Sequence, residues 1–106
     1  DSMKCEIKEK DGAKIVVVDE DHITVTNVGE FRKMVQTFID AGSTKVILNL
    51  KAVKHIDSMG LGAIVGMSEA MKYAKGQLVI LNVQYAVREL FRLTEMDKVL
   101  SIVESD

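Results

Sequence analysis

The chain has 106 residues, a net charge of −2 at pH 7 and a single cysteine; this size suits one domain with its own core, which we expect to span residues 3–106 because Asp1 and Ser2 precede the first methionine. The acidic balance argues against nucleic-acid binding, since that affinity comes from Lys and Arg side chains that neutralise phosphates, and no apolar run approaches the roughly 20 residues of a membrane span. Cys5 has no partner for an intrachain disulfide and Met3 is followed by charged residues instead of the apolar core of a signal peptide, so we expect a cytoplasmic protein.

The first predicted elements are two strands joined by a tight turn. Residues 3–10, "MKCEIKEK", alternate between apolar and polar side chains, and "AKIVVVDE" at 13–20 is rich in branched residues. The dipeptide Asp11-Gly12 between them is a strong hairpin signal.

A first helix follows the hairpin. Asn27 stands three residues before Glu30, the spacing of a capping box, in which the two side chains satisfy free N–H groups of the first turn. An apolar face at helical spacing then runs to Gly42, which we expect to end the helix. The face consists of Val28, Phe31, Val35, Phe38 and Ile39.

The second half alternates strands with helices. "KVILNL" at 45–50 predicts a strand that is covered on both faces and lies at the centre of the sheet. A second helical pattern runs from the motif described below to Gly76, and "QLVILNV" at 77–83 predicts another buried strand. A third helix, marked by Val87, Leu90, Phe91 and Thr94, precedes a tail that favours a helical turn and an edge strand.

This order of elements predicts an α/β fold, a mixed sheet of four to five strands flanked by about four helices. The later strands should be parallel and joined by right-handed crossovers. In such sheets, ligands and partners meet the loops at the carboxyl ends of the strands. Residues 51–58 form such a loop, directly after the predicted central strand.

The stretch "KHIDSMGLGAIVG" at 54–66 begins in that loop and continues into the second helical pattern. Asp57 or Ser58 could cap the second helix, because short oxygen-bearing side chains accept the free N–H groups of a first turn. Capping does not explain Gly60 and Gly62, since each glycine costs up to about 1 kcal/mol in a helix relative to alanine. We interpret the two glycines as bare backbone that a partner approaches closely.

Other chemistries of these residues fit poorly. The glycine spacing is not that of a dinucleotide fingerprint, and no Gly-Lys-Ser or Gly-Lys-Thr of a P-loop is present. "GMSEA" around Ser68 matches a nucleophile elbow at two positions only and lies within a helical pattern, so we interpret Ser68 as a surface or groove-lining residue. His22, His55 and Cys5 lack the spacing of metal ligands. We therefore expect neither enzyme activity nor a metal site.

The segment "HIDSMGLGAIVG" resembles the signature of STAS domains, in particular of the bacterial anti-sigma factor antagonists, whose pattern is Asp-Ser-x-Gly-Leu-Gly at a helix start. "KVILNLKAVKHIDSMGLG", "ITVTNVGEFRKMV" and "GQLVILNVQYAVRELFRLTEMDKVLSIVES" are also similar to that family, so the resemblance covers nearly the whole chain. Asp21 and Thr24 stand where family members usually carry Gly and Asp, and Asn49 stands where they often carry Asp.

The resemblance implies a cofactor-free regulator whose partner is an anti-sigma factor that is also a serine/threonine kinase, with a phosphatase as a further partner. It implies that Ser58 accepts the phosphate. The residues that would bind the kinase on this reading are Asp21, Thr24, Asn27, Asp57, Met59, Gly60, Leu61 and Gly62.

Phosphorylation of Ser58 would add about −1.5 to −2 charge at a helix start. We expect the helix dipole and free N–H groups to accept the phosphate locally, so that the fold survives while a partner is repelled. The alternatives are a STAS module that does not switch, as a scaffold, a transporter-associated domain or a ligand-binding module, and an enzyme that uses Ser58 or Ser68.

Overall fold

The elements below come from a computed structural model that describes residues 3–104. In chain order they are β1 (Cys5–Lys10), β2 (Ala13–Val18), β3 (His22–Ile23), α1 (Val28–Asp40), β4 (Lys45–Asn49), β5 (His55–Ile56), α2 (Ser58–Tyr73), β6 (Gln77–Leu81), α3 (Tyr85–Leu93) and β7 (Ser101–Val103). Three helices in these residues are α-helices, and what we expected as a fourth is a short 3₁₀ turn, Met96–Lys98.

Five strands form a mixed sheet in the order β1-β2-β4-β6-β7. The β1–β2 pair is antiparallel and turns at Asp11 and Gly12, which both have positive φ. The other pairs are parallel. The expected hairpin and the central place of the strand at 45–50 are therefore confirmed.

The core lies on one face of this sheet. Val46 and Leu48 of β4 are fully buried and belong to the same apolar cluster as Phe31 of α1, Ile64 of α2 and Phe91 of α3. Alternate strand residues point to the opposite face. These are half-buried and lie outside the cluster: Ile15, Val17, Ile47, Val79 and Leu81. The expectation that the central strand is covered on both faces is wrong, because all three helices pack on one side.

The ends of the two longer helices depend on backbone geometry. Gly42 follows α1 with a φ of +88°, as expected of a glycine that ends a helix. After α2 the left-handed position is occupied by Lys75, with a φ of 65°, and not by Gly76. A Cβ on Gly76 would lie 2.7 Å from the Thr44 carbonyl oxygen, so this glycine lets two backbone segments pass closely.

Candidate functional site

Two short strands outside the main sheet bring the candidate site together. β3 and β5 pair in parallel, with His22 opposite His55 and Ile23 opposite Ile56. The loop 24–27 follows β3, and Asp57 follows β5, so the two segments leave the pair side by side. Sequence patterns did not indicate these strands, because two residues are too few to show a period of two.

Asp57 connects the two segments. Its Oδ1 accepts a hydrogen bond of 2.7 Å from the Gly60 N–H, and its Oδ2 accepts one of 3.1 Å from the Val25 N–H. The first of these makes Asp57 the N-cap of α2, which decides between the two capping residues that the sequence left open. The bonds from Gly60 and then Val25 lower the pKa of the carboxyl below its ordinary 3.8, so it is ionised at neutral pH.

Ser58 is the first residue of α2 and is exposed. Two apolar side chains near Ser58 are exposed. Met59, the next residue, is 48% exposed, and Val25, whose N–H bonds to Asp57, is 62% exposed. Leu61 is instead half-buried and packs against the core. Sequence reasoning missed Val25, although an apolar residue between Thr24 and Thr26 was a signal that could have drawn attention to it.

Gly60 and Gly62 have different surroundings. Gly60 is buried, and a Cβ there would collide with the Ile23 carbonyl oxygen and lie 2.9 Å from Cγ2 of Ile56. The interpretation that Gly60 is bare for a partner is therefore wrong, since its missing side chain lets α2 pack against β3. Gly62 is exposed, and a Cβ there would meet no atom within 4 Å.

Asn27 also has another role than expected. It occupies the N-cap position of α1, but its side chain makes no capping bond and no capping box forms. Instead its Oδ1 accepts from the Thr24 N–H at 3.0 Å and its Nδ2 donates to the His22 carbonyl oxygen at 3.0 Å. Asn27 is 3% exposed, so it shapes the loop from inside and is not available to a partner.

Asp21 directly precedes β3, at the opposite end of that strand from the loop 24–27, and it is exposed. Its Oδ1 lies 2.9 Å from Nδ1 of His22, and this hydrogen bond lowers the pKa of the Asp21 carboxyl. Its carbonyl oxygen accepts from the N–H groups of Lys54 and His55. These backbone bonds hold the two segments together at the entrance to the β3–β5 pair.

The first turn of α2 is less open to a phosphate than the sequence suggested. The N–H of Gly60 is already bonded to Asp57, whose carboxylate carries a negative charge next to Ser58. A phosphate on Ser58 would therefore meet a like charge instead of a free N–H group at Gly60. The expectation that free N–H groups of this turn accept the phosphate is therefore wrong for the Gly60 N–H.

The remaining sequence candidates lie elsewhere or are absent. Ser68 is 2% exposed in the middle of α2, so the expectation of a surface or groove-lining serine is wrong. Within residues 3–104 no three His, Cys, Asp or Glu side chains are grouped as metal ligands. No helix in the same range is both long and apolar enough to cross a membrane.

Comparisons with known proteins give a consistent result. The family model described as the STAS domain matches residues 4–105. The anti-sigma-B factor antagonist of Staphylococcus aureus is 28% identical over 82 residues, which cover 77% of this chain and 76% of that protein. Two solved structures are similar to the fold. The protein TM1081 has a TM-score of 0.83 at 26% identity, covering 93% of this chain and 79% of that one. The Bacillus cell fate determinant SpoIIAA in its phosphorylated form has a TM-score of 0.76 at 17% identity, covering 97% and 92%.

Proposed function

Because the chain belongs to the STAS domain family, which is not a family of enzymes, we propose that it is an anti-sigma factor antagonist whose binding is switched off by phosphorylation of Ser58. The unphosphorylated form binds an anti-sigma factor that is also a serine/threonine kinase, and thereby frees the sigma factor. A phosphatase restores the binding form. We expect this exchange to occur in the cytoplasm.

One observation carries the proposal: Ser58 is exposed at the start of α2, beside exposed apolar side chains and an ionised carboxylate. Val25, whose N–H bonds to Asp57, and Met59, two residues after Asp57, offer a partner exposed apolar side chains. A phosphate on Ser58 adds about −1.5 to −2 charge next to Met59 and Asp57. Because Asp57 already occupies the Gly60 N–H, the added charge is not absorbed by the helix start. The similarity to the Staphylococcus aureus anti-sigma-B factor antagonist supports an anti-sigma factor as the partner.

The phosphorylation site is tested by incubating the chain with ATP and each anti-sigma kinase of the source organism, then mapping phosphate by mass spectrometry. Ser58→Ala should abolish labelling, and Ser101→Ala, at an exposed serine of β7, should leave it unchanged. Ser58 makes no capping bond, since Asp57 is the cap, so the Ser58→Ala variant should melt like the wild type. Efficient labelling of Thr24 or Ser68 in the Ser58→Ala variant would contradict the assignment.

The switch is tested by calorimetric titration of the kinase with both forms of the chain. The phosphorylated form should bind at least about tenfold more weakly, which requires a loss of only about 1.4 kcal/mol. Ser58→Asp should weaken binding in the same direction but less, because a carboxylate carries less charge than a phosphate. Equal affinities of the two forms would favour a STAS scaffold that does not switch.

A further inference from the structure

A groove lies between α1 and α2. Its volume is about 360 Å³. The two helices start at the same end of the molecule, because Asp57 bonds both the first turn of α2 and the loop before α1. The groove is lined by apolar or small side chains from both helices. These are Val35, Ile39, Ala63, Gly66, Met67 and Ala70.

Small residues line much of the α2 side of the groove, with Met67 as the one larger side chain there. Gly66 is exposed, and a Cβ there would meet no atom within 4 Å. Ala63 and Ala70 lie on either side of Gly66 along the helix. Another helix can therefore approach the α2 backbone closely, while Val35 and Ile39 provide apolar contact from α1.

The rim on the α1 side is positively charged. Arg32 and Lys33 line the groove and are exposed. Neither side chain makes an ion pair or a hydrogen bond with any of residues 3–104. The two exposed cations of α2 and α3, by contrast, each have such a partner: Lys72 pairs with Glu69, and Arg92 pairs with Glu89. The unpaired charges of Arg32 and Lys33 on this rim fit a partner that carries carboxylates there.

The groove and Ser58 share one face of α2. Three residues of α2 follow one another at intervals of four and so lie on the same face of the helix: Ser58, Gly62 and Gly66. At 1.5 Å per residue, Ser58 lies about 12 Å from Gly66 along the helix axis. A single partner element can therefore contact both the phosphorylation site and the groove.

We propose that this groove binds an amphipathic helix of the anti-sigma factor, whose apolar face packs on Gly66 and whose acidic flank pairs with Arg32 and Lys33. The inference rests on the proposed function and specifies its partner surface. It also explains the direction of the switch. Charges interact over about 10 Å at 0.1 M salt, so phosphate on Ser58 repels carboxylates at that end of the docked helix.

The test uses two groove variants, each with a matched control. Lys33→Glu reverses a rim charge, and Lys10→Glu makes the same change at an exposed, unpaired lysine of β1. Gly66→Leu fills the groove, and Thr37→Leu introduces the same side chain at an exposed position of α1 outside the groove. All four variants should melt cooperatively, since none of the four positions is buried.

Binding of each unphosphorylated variant to the anti-sigma kinase is measured by calorimetry at low and moderate salt. Lys33→Glu and Gly66→Leu should each bind at least about tenfold more weakly, and both controls should bind within about twofold of the wild type. The affinity of the wild type should fall with salt more steeply than that of Lys33→Glu.

The outcomes separate the two proposals. If the wild type binds the kinase and loses affinity on phosphorylation, while both groove variants bind like the wild type, the groove inference is overturned and the proposed function stands. If the unmodified wild type binds no anti-sigma factor of its organism, the proposed function is overturned together with the inference.

Discussion

Gly60 and Gly62 show how two identical residues of one helical turn can meet opposite requirements. Gly60 is covered by the Ile23 carbonyl and the Ile56 side chain, so the fold needs its lack of a side chain. Gly62 faces open space, so the fold has no such need there. The motif alone could not distinguish them, because the atom that Gly60 contacts belongs to a strand more than 30 residues earlier.

We expect Gly60→Ala to lower the free energy of unfolding by about 1–3 kcal/mol, the usual cost of overpacking a well-packed site. Gly62→Ala should raise it by up to about 1 kcal/mol through better helix propensity, while it weakens partner binding. Urea denaturation of both variants measures the difference. A Gly60→Ala variant as stable as the wild type would show that α2 can move away from β3 without cost.

Asp57 makes stability depend on pH. Because its pKa is lowered in the folded chain, its contribution is present above the ordinary pKa of 3.8 and is lost as the pH falls through the lower folded value. Asn caps a helix about as well as Asp but does not titrate in this range. The wild type should therefore be more stable than Asp57→Asn at pH 7, and the difference should close below about pH 4. A stability difference between the two proteins that persisted at pH 2 would show that it comes from the shape of the side chain and not from its charge.

At the scale of elements, the loop between β3 and α1 depends on one buried amide. Asn27 satisfies the Thr24 N–H and the His22 carbonyl oxygen in a position that excludes water. Both are backbone groups that would otherwise be left without a partner. The loop that presents Val25 is therefore shaped from below.

Asn27→Ala should destabilise the chain by about 1–3 kcal/mol, because buried backbone groups lose their partners. Glu30→Ala should change stability by less than about 0.5 kcal/mol, since Glu30 is exposed and no capping box forms. Thermal denaturation of the two variants distinguishes these roles. Equal losses in both would indicate that the capping box forms in solution.

The long elements were predictable and the short contacts between them were not. Apolar periodicity placed α1, α2 and the main strands correctly, because each buries a full face over several residues. The β3–β5 pair, the Asp57 bond to Val25 and the packing of Gly60 each join residues that are distant in sequence. Such contacts leave no periodic trace, so the site was identified by its motif while its geometry was not.

At the scale of the whole molecule, the sheet carries helices on one face only. The sequence could not show this, because the half-buried residues of the open face are as apolar as those of the core. Ile47 and Leu48 are neighbours in β4 and similar in size, yet Leu48 is fully buried and Ile47 lies outside the core cluster.

Leu48→Ala should lower the free energy of unfolding by about 2–5 kcal/mol, the range for a large side chain removed from a packed core. Ile47→Ala should lower it by less than half as much, because the open face leaves no enclosed cavity. Urea denaturation of the pair gives the comparison. Similar losses would show that the second face is covered in solution.

The arrangement of strands also determines when the surface around Ser58 forms during folding. The β1–β2 hairpin joins neighbours in sequence and can form within about 10 μs. The bond from Val25 to Asp57 joins residues that are 32 apart in sequence, so it forms only once the chain between them, which contains α1 and β4, has folded. A nascent or partly folded chain therefore has Ser58 but not the surface around it. Under the proposed function, only fully folded molecules would bind the anti-sigma factor and release the sigma factor. Incompletely folded chains would not contribute to the cell's response.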